Sequence, residues 1–142
     1  DNWEISGCPH RGSSVIAGDD GEVLVSWYAE VEGEPGVFIA KSNDGKAFLK
    51  ERIESKRSAF PDNVVAAARG GELLLAWQEI TPVLSNVVFE ARKGAEKIRV
   101  QLNTDVRKAT NPVISVNRKG DVLVAWQKMD MRAAKTMVAV GR

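Results

Sequence analysis

One apolar heptapeptide occurs three times along the chain, and this repetition constrains the fold more than any other feature. It reads GEVLVSW at residues 21–27, GELLLAW at residues 71–77 and GDVLVAW at residues 120–126, so that successive tryptophans lie 50 and 49 residues apart. Self-similarity at a fixed period of this length is the signature of a repeat architecture, in which each copy is one supersecondary unit. The 142 residues therefore hold three copies of one unit.

Each copy has the pattern of a β-hairpin followed by further strand-like runs. A run of small and β-branched residues (SSVIA, NVVAAA or PVISV) comes first, followed by a polar glycine turn and then the heptapeptide. A third run follows in every copy (GVFIAKS, NVVFEAR and KTMVAVG), and a fourth in the first two (FLKERI and IRVQL). Four short antiparallel strands per repeat are typical of a β-propeller blade. We predict a single all-β domain with blades at about 13–55, 62–104 and 111–142.

The heptapeptide strand is apolar at consecutive positions, as in VLVSW and LLLAW. Strict alternation would indicate one wet face, so this pattern predicts a strand that is covered on both faces. The neighbouring blades of a propeller supply those covers. A β-sandwich is the alternative fold, but it does not account for the repeat period.

The third copy lacks the fourth run, and the start of the chain offers a candidate for it. Residues 1–6, DNWEIS, alternate apolar with polar side chains and occupy the sequence position of a fourth strand. Three blades cannot close a ring, because propellers have about four to eight blades, and an open arc would leave two apolar faces in water. We therefore predict a homodimer of six blades, in which residues 1–6 of each chain complete the last blade of its partner.

The charge balance and the counts of special residues exclude several functional classes. Lys plus Arg number 20 and Asp plus Glu number 19, so no basic surface for nucleic acid is expected. No apolar run reaches the 18 or more residues that a membrane-spanning helix needs. One cysteine and one histidine leave no internal disulfide and argue against a zinc site within one chain. Motifs for phosphate cofactors or zinc hydrolysis are absent, so we predict no cofactor and no metal.

The segment SNDGKAF, residues 42–48, is similar to the Asp-box of sialidase-like propellers, with Ser42, Asp44, Gly45 and Phe48 at the matching positions. Together with GCPHRGSSVI, FPDN and the repeated tryptophan strands, it makes the chain resemble the second half of bacterial sialidase-like, BNR-repeat proteins. The resemblance implies a six-bladed propeller, of which this chain matches about half, and favours a secreted or periplasmic location. The Arg-Ile-Pro motif and arginine triad of sialidases are not found. The resemblance therefore implies the fold but not the sialidase activity.

A ligand site is expected where the loops leading into first strands and out of second strands gather, at the mouth of the central channel. Arg11 would hold an anionic group through its guanidinium fork, His10 and Asn111 would donate hydrogen bonds, and Glu79 or Asp62 would orient them. The predicted ligand-binding residues are His10, Arg11, Tyr28, Glu30, Asp62, Asn63, Gln78, Glu79, Asn111 and Gln127.

The favoured function is non-catalytic binding of a small polar or anionic molecule, such as a sugar or a peptide segment. One alternative is a hydrolase or lyase of glycosidic bonds that uses Tyr28, Glu30 and Asp62. Another is a scaffold whose mouth binds a second protein. The repeat tryptophans, Trp27, Trp77 and Trp126, are predicted to lie in the blade core rather than in a site.

Overall fold

The computed structural model of the chain is built from antiparallel β-strands in three sheets, and it describes residues 12–18, 21–31, 34–55, 59–104, 108–130 and 133–142. Sheet 1 contains β1 (Ser14–Ala17), β2 (Val23–Val31), β3 (Glu34–Ser42) and β4 (Leu49–Ile53). Sheet 2 contains β5 (Phe60–Arg69), β6 (Glu72–Ile80), β7 (Ser85–Lys93) and β8 (Glu96–Gln101). Sheet 3 contains β9 (Lys108–Val116), β10 (Val122–Met129) and β11 (Ala134–Gly141).

Each sheet is one sequence repeat, and its strands pair in chain order. The predicted all-β class and the three-repeat division are confirmed, and within the described residues the third repeat has three strands where the others have four. The arrangement is consistent with part of a propeller. Residues 1–11 lie outside the described part of the chain, so the predicted exchange of the first strand between partners stays a prediction.

The glycine that opens each heptapeptide makes the hairpin turn possible. Gly21, Gly71 and Gly120 have φ angles of 76°, 73° and 84°, in a region that side chains with a Cβ rarely adopt. The same residue therefore performs the same backbone task in all three repeats, as the turn pattern predicts.

The middle strand of sheet 2 is covered on both faces, as the run of consecutive apolar residues predicts. Leu75 and Trp77 point toward sheet 1, where they pack among Leu24, Val37, Ile39 and Ile53. The alternate residues Leu74 and Ala76 point toward sheet 3, where they pack among Ala109, Val122, Val124 and Trp126. One strand thus contributes to two separate cores, and the three sheets lie in series with sheet 2 in the middle.

The prediction that the repeat tryptophans are core residues is confirmed for Trp77 and Trp126, whereas Trp27 is partly buried. Trp77 is 0% exposed and Trp126 is 6% exposed. Trp27 is only partly buried, because its face of sheet 1 is turned away from sheet 2. Its ring stacks on Phe38 with the centroids 5.8 Å apart, and Lys50 Nζ lies 4.4 Å from the centroid of the Phe38 ring.

A buried carboxylate joins sheets 1 and 2 through two arginines. Glu90 is 1% exposed, and it is bound by Arg92 and by Arg99, whose Nε lies 2.6 Å from Glu90 Oε2. Arg92 Nη1 also lies 2.9 Å from Glu51 Oε1 on β4, and Arg99 Nη1 donates to the carbonyl of Glu54 at 2.8 Å. Removing one partner of such a buried group leaves an uncompensated charge, so this network fixes how the two sheets pair.

The turn between β3 and β4 has the hydrogen bonds expected of the SNDGKAF motif. Ser42 Oγ accepts from the Gly45 N–H at 2.9 Å and donates to Asp44 Oδ1 at 3.0 Å. Asp44 Oδ1 also accepts from the backbone N–H groups of Lys46 and Ala47, at 2.8 and 2.9 Å. The bonds from Ala47 and Lys46, and then that from the Ser42 hydroxyl, hold the pKa of the Asp44 carboxyl below its ordinary value.

A buried hydroxyl in sheet 1 allows the packing to be tested by substitution. Ser26 is 0% exposed, and among the described residues its Oγ has no hydrogen-bond partner. Because an unpaired buried hydroxyl is destabilising, we expect Ser26→Ala to raise the free energy of unfolding by about 1 kcal/mol, measured by urea denaturation. The residues at the same position of sheets 2 and 3, Ala76 and Ala125, are already alanines.

The matched control is Ser85→Ala. Ser85 is 4% exposed, but its Oγ donates to the carbonyl of Ala109 at 2.6 Å. Losing this bond would lower the free energy of unfolding by about 1–2 kcal/mol. Equal destabilisation by both substitutions would contradict the packing described for Ser26.

Candidate functional site

Two β-bulges lie near the predicted mouth residues of sheets 2 and 3. The register shifts between Asp62 and Val65 in sheet 2, and between Ala125 and Gln127 in sheet 3, so that an extra residue lies opposite Trp77 and another opposite Trp126. Asn63 and Asn111 occupy the two bulges with φ angles of 47° and 53°. Asparagine is one of the few residues with a Cβ that tolerates this region, and bulges re-aim side chains next to functional sites.

The bulges bring four of the predicted residues into one hydrogen-bonded set, here called the amide network: Asn63, Gln78, Asn111 and Gln127. Asn63 Nδ2 donates to Gln78 Oε1 and to Asn111 Oδ1, at 3.3 Å each. Asn111 Nδ2 donates to Gln127 Oε1 at 3.1 Å, and the Asn111 backbone N–H lies 3.4 Å from Gln78 Oε1. The network crosses from sheet 2 to sheet 3, and these predicted mouth residues therefore do lie together.

The amide network extends from the interior to the surface. Gln78 is 6% exposed and anchors its inner end, whereas Asn111 and Gln127 are exposed to solvent. A primary amide offers two donor hydrogens and two acceptor lone pairs, more than the bonds within the network use. The outer end thus presents donors and acceptors in fixed positions.

The two predicted carboxylates lie at the same end of sheet 2 as this network, with Glu79 on the face of Trp77, and each has a bond that holds local structure. Asp62 is 6% exposed, and its Oδ1 accepts from the Asn63 N–H at 2.8 Å, which fixes the bulge. Glu79 is 2% exposed, and its Oε1 accepts from Trp77 Nε1 at 3.3 Å. Asp62 pairs with Gln78 across the two strands, so Asp62 and Glu79 lie on neighbouring strands at the same end of sheet 2.

The remaining predicted residues lie on sheet 1 or outside the described part of the chain. Tyr28 follows Trp27 and occupies in sheet 1 the register position of Gln78 and Gln127, where it is partly buried. Glu30 is exposed two residues further along β2. His10 and Arg11 lie outside the described residues, so their predicted roles stay predictions.

Sequence reasoning missed the residue that clamps the mouth end of sheet 2. Asn103 is 6% exposed; its Oδ1 accepts from the Val87 N–H at 2.8 Å, and its Nδ2 donates to Asn86 Oδ1 at 3.1 Å. It follows the last strand of its repeat in the polar segment NTD, which is the composition of an ordinary connecting loop. Only the structure distinguishes this asparagine from its neighbours.

A cavity of about 500 Å³ lies at the opposite end of the junction between sheets 1 and 2. Four of its charged lining residues pair with one another, since Lys41 Nζ lies 2.6 Å from Glu22 Oε1 and Arg92 binds Glu51. These pairs favour a structural role over a ligand site. In the part of the chain that the structure describes, no three metal-ligating side chains come together, and no helix is long and apolar enough to cross a membrane.

No protein-family model and no curated protein matches the sequence. Among solved structures, it is similar to a protein from Bifidobacterium bifidum s17 assigned as an exo-beta-1,3-galactanase, with a TM-score of 0.63 and 11% identity over 92% of this chain and 48% of that one. It is also similar to the endo-arabinase from Bacteroides thetaiotaomicron VPI-5482, with a TM-score of 0.60 and 10% identity over 89% of this chain and 54% of that one. The chain thus spans about half the length of each.

At these identities the likeness shows a shared fold, and both neighbours bear the names of glycosidases. The narrower resemblance to sialidase-like, BNR-repeat proteins stays a prediction.

The bulge asparagines give a test of the site's backbone. Asn111→Gly and Asn111→Ala both remove the amide, but only alanine adds strain at a φ of 53°. We expect the alanine variant to be less stable than the glycine variant by about 1 kcal/mol in urea denaturation. At Asn117, which is not among the described residues with positive φ, we expect glycine to give no such advantage over alanine. The same order at both positions would contradict the bulge geometry.

Proposed function

We propose that the mouth at the junction of sheets 2 and 3 binds a carbohydrate. The observation that carries the proposal is the amide network, which ends at the surface in the exposed side chains of Asn111 and Gln127. Sugar hydroxyls both donate and accept hydrogen bonds, and primary amides are the side chains that match both properties without a charge. The network therefore fits a neutral polar ligand better than an apolar one.

The rigidity of the site supports the same ligand class. Gln78 is held inside the junction, and Asn63 and Asn111 are fixed by bulges, so the outer amides are held in place before a ligand arrives. Preorganised polar groups bind with a smaller entropic cost than mobile ones. The names of the fold neighbours, a galactanase and an arabinase, support a sugar as the class of ligand.

Hydrolysis of a glycosidic bond is the second candidate, and the names of the fold neighbours favour it. Most glycosidases use two carboxylates that flank the bond to be cleaved. Asp62 and Glu79 are the carboxylates that the structure brings to this end of sheet 2. The bonds that Asp62 makes to Asn63 and Glu79 makes to Trp77 are structural ones, and for this reason binding is the first candidate.

The binding proposal predicts that β-1,3-galacto-oligosaccharides or arabino-oligosaccharides bind the protein and that Gln127→Ala weakens the affinity by roughly tenfold, the loss of about one hydrogen bond. Gln127 is exposed, so its substitution leaves the fold intact. Asn43→Ala, an exposed amide in the turn between β3 and β4, is the matched control and leaves the affinity unchanged. Titration calorimetry measures both.

The outcomes separate the two candidates. Binding without release of reducing ends supports recognition alone, whereas reducing ends that disappear in Asp62→Asn support hydrolysis. No heat of binding with either class of oligosaccharide, or equal effects of Gln127→Ala and Asn43→Ala, would overturn the site.

A further inference from the structure

One aromatic side chain at the mouth end of sheet 2 is exposed, although the residues that follow it on the strand are buried. Phe60, the first residue of β5, is 51% exposed. Pro61 and Asp62, the next two residues, are buried. An exposed phenylalanine leaves apolar surface in water, which is unfavourable unless a contact covers it. A comparison of the repeats shows whether the packing of the sheets needs this ring.

The packing does not need an aromatic residue at this position. Phe60 pairs with Ile80 at the end of sheet 2, and Lys108 pairs with Met129 at the same position of sheet 3. Lys108 is also exposed. The fold therefore accepts a charged residue here, so the ring of Phe60 is better explained by binding than by packing.

The ring lies on the face of sheet 2 that carries the amide network. Asp62 and Gln78 form a cross-strand pair, and the Asn111 N–H lies 3.4 Å from Gln78 Oε1, so this face is turned toward sheet 3. Phe60 is two residues from Asp62, and side chains two positions apart on a strand point to the same face. Phe60 and Gln78 are thus diagonal cross-strand neighbours, about 7–8 Å apart and within reach of an aromatic side chain.

We propose that Phe60 is the platform on which a sugar ring stacks at this site. The inference rests on the proposed carbohydrate site, and it adds the part of the ligand that amides do not recognise. Ligand pockets combine apolar and aromatic walls with a few polar groups that fix orientation. The hydroxyls of the sugar bind Asn111 and Gln127, and its C–H face covers the ring of Phe60.

A flat aromatic platform selects the kind of sugar. In galactopyranose the axial hydroxyl at C4 leaves the C–H bonds of C3, C4 and C5 on the other face, which makes a broad apolar surface. An arabinofuranose ring is smaller and puckered, and it offers less apolar area to the platform. The gain from stacking grows with the apolar area removed from water. The site therefore favours galactopyranose over arabinofuranose.

The test is the affinity of Phe60 variants for β-1,3-galactotriose, measured by titration calorimetry. We expect Phe60→Ala to weaken the affinity by about tenfold, because the sugar loses the apolar area that it covers. Phe60→Tyr keeps the flat ring and keeps the affinity. Phe60→Leu is apolar without being flat, and it loses nearly as much affinity as Phe60→Ala.

The matched control is Phe48→Ala. Phe48 is 44% exposed and follows the turn after β3, at the end of sheet 1 opposite the mouth. Its substitution leaves the affinity unchanged. Circular dichroism checks that each variant is folded.

The same titrations distinguish a failure of the platform from a failure of the carbohydrate site. A loss of affinity in Gln127→Ala but not in Phe60→Ala overturns the platform and leaves the site in place. Equal weakening by Phe60→Ala and Phe48→Ala, or full affinity in Phe60→Leu, also overturns the platform. Binding of α-1,5-arabinotriose as tight as that of the galactotriose overturns the preference for a pyranose. No binding of either trisaccharide overturns both the platform and the site.

Discussion

The burial of both faces of β6 is the constraint on which the rest of the structure depends. Successive side chains of a strand point to opposite faces, so Leu75 and Trp77 need one cover while Leu74 and Ala76 need another. Burying a large apolar side chain contributes roughly 1.5–3 kcal/mol, and a strand apolar at consecutive positions gains this on both sides. Sheets 1 and 3 supply the two covers, which is why the three repeats lie in series.

The same constraint positions the amide network. The junction that buries Trp126 also brings β9 against β6, and this contact sets Asn111 beside Gln78. Each bulge lies opposite a repeat tryptophan, so the tryptophan that fills the core and the asparagine of the bulge are linked in register. The packing of the sheets and the geometry of the amide network therefore depend on the same contacts. A substitution that loosens the junction would also displace the amides.

The fold could be predicted from the sequence because short local patterns are enough to identify the repeat. The glycine turns, the apolar heptapeptides and the third and fourth runs each determine a strand or a turn without reference to distant residues. The convergence of Asn63, Gln78, Asn111 and Gln127 could also be predicted, since it follows from the shared position of these residues at strand ends. Periodicity was sufficient for both.

What the sequence did not reveal depends on contacts between repeats. Trp27 has a local sequence similar to that of Trp77, yet Trp27 is only partly buried whereas Trp77 is 0% exposed. The Glu90 network joins β7 and β8 to β4, and its partners have no common spacing. The bulges and the clamp at Asn103 likewise depend on register, which composition does not specify. Contacts between sheets join residues that are distant in the sequence, so the sequence of a single repeat does not predict them.

Amide hydrogen exchange along the three middle strands tests the central claim most directly. Sheets that are covered on both faces open only with the whole fold, whereas an uncovered sheet opens locally at a lower free energy. If sheets 1 and 3 cover the two faces of sheet 2, the amides of β6 are protected more strongly than those of β10, whose sheet has one exposed face. Faster exchange at β6 than at β10 would contradict the claim.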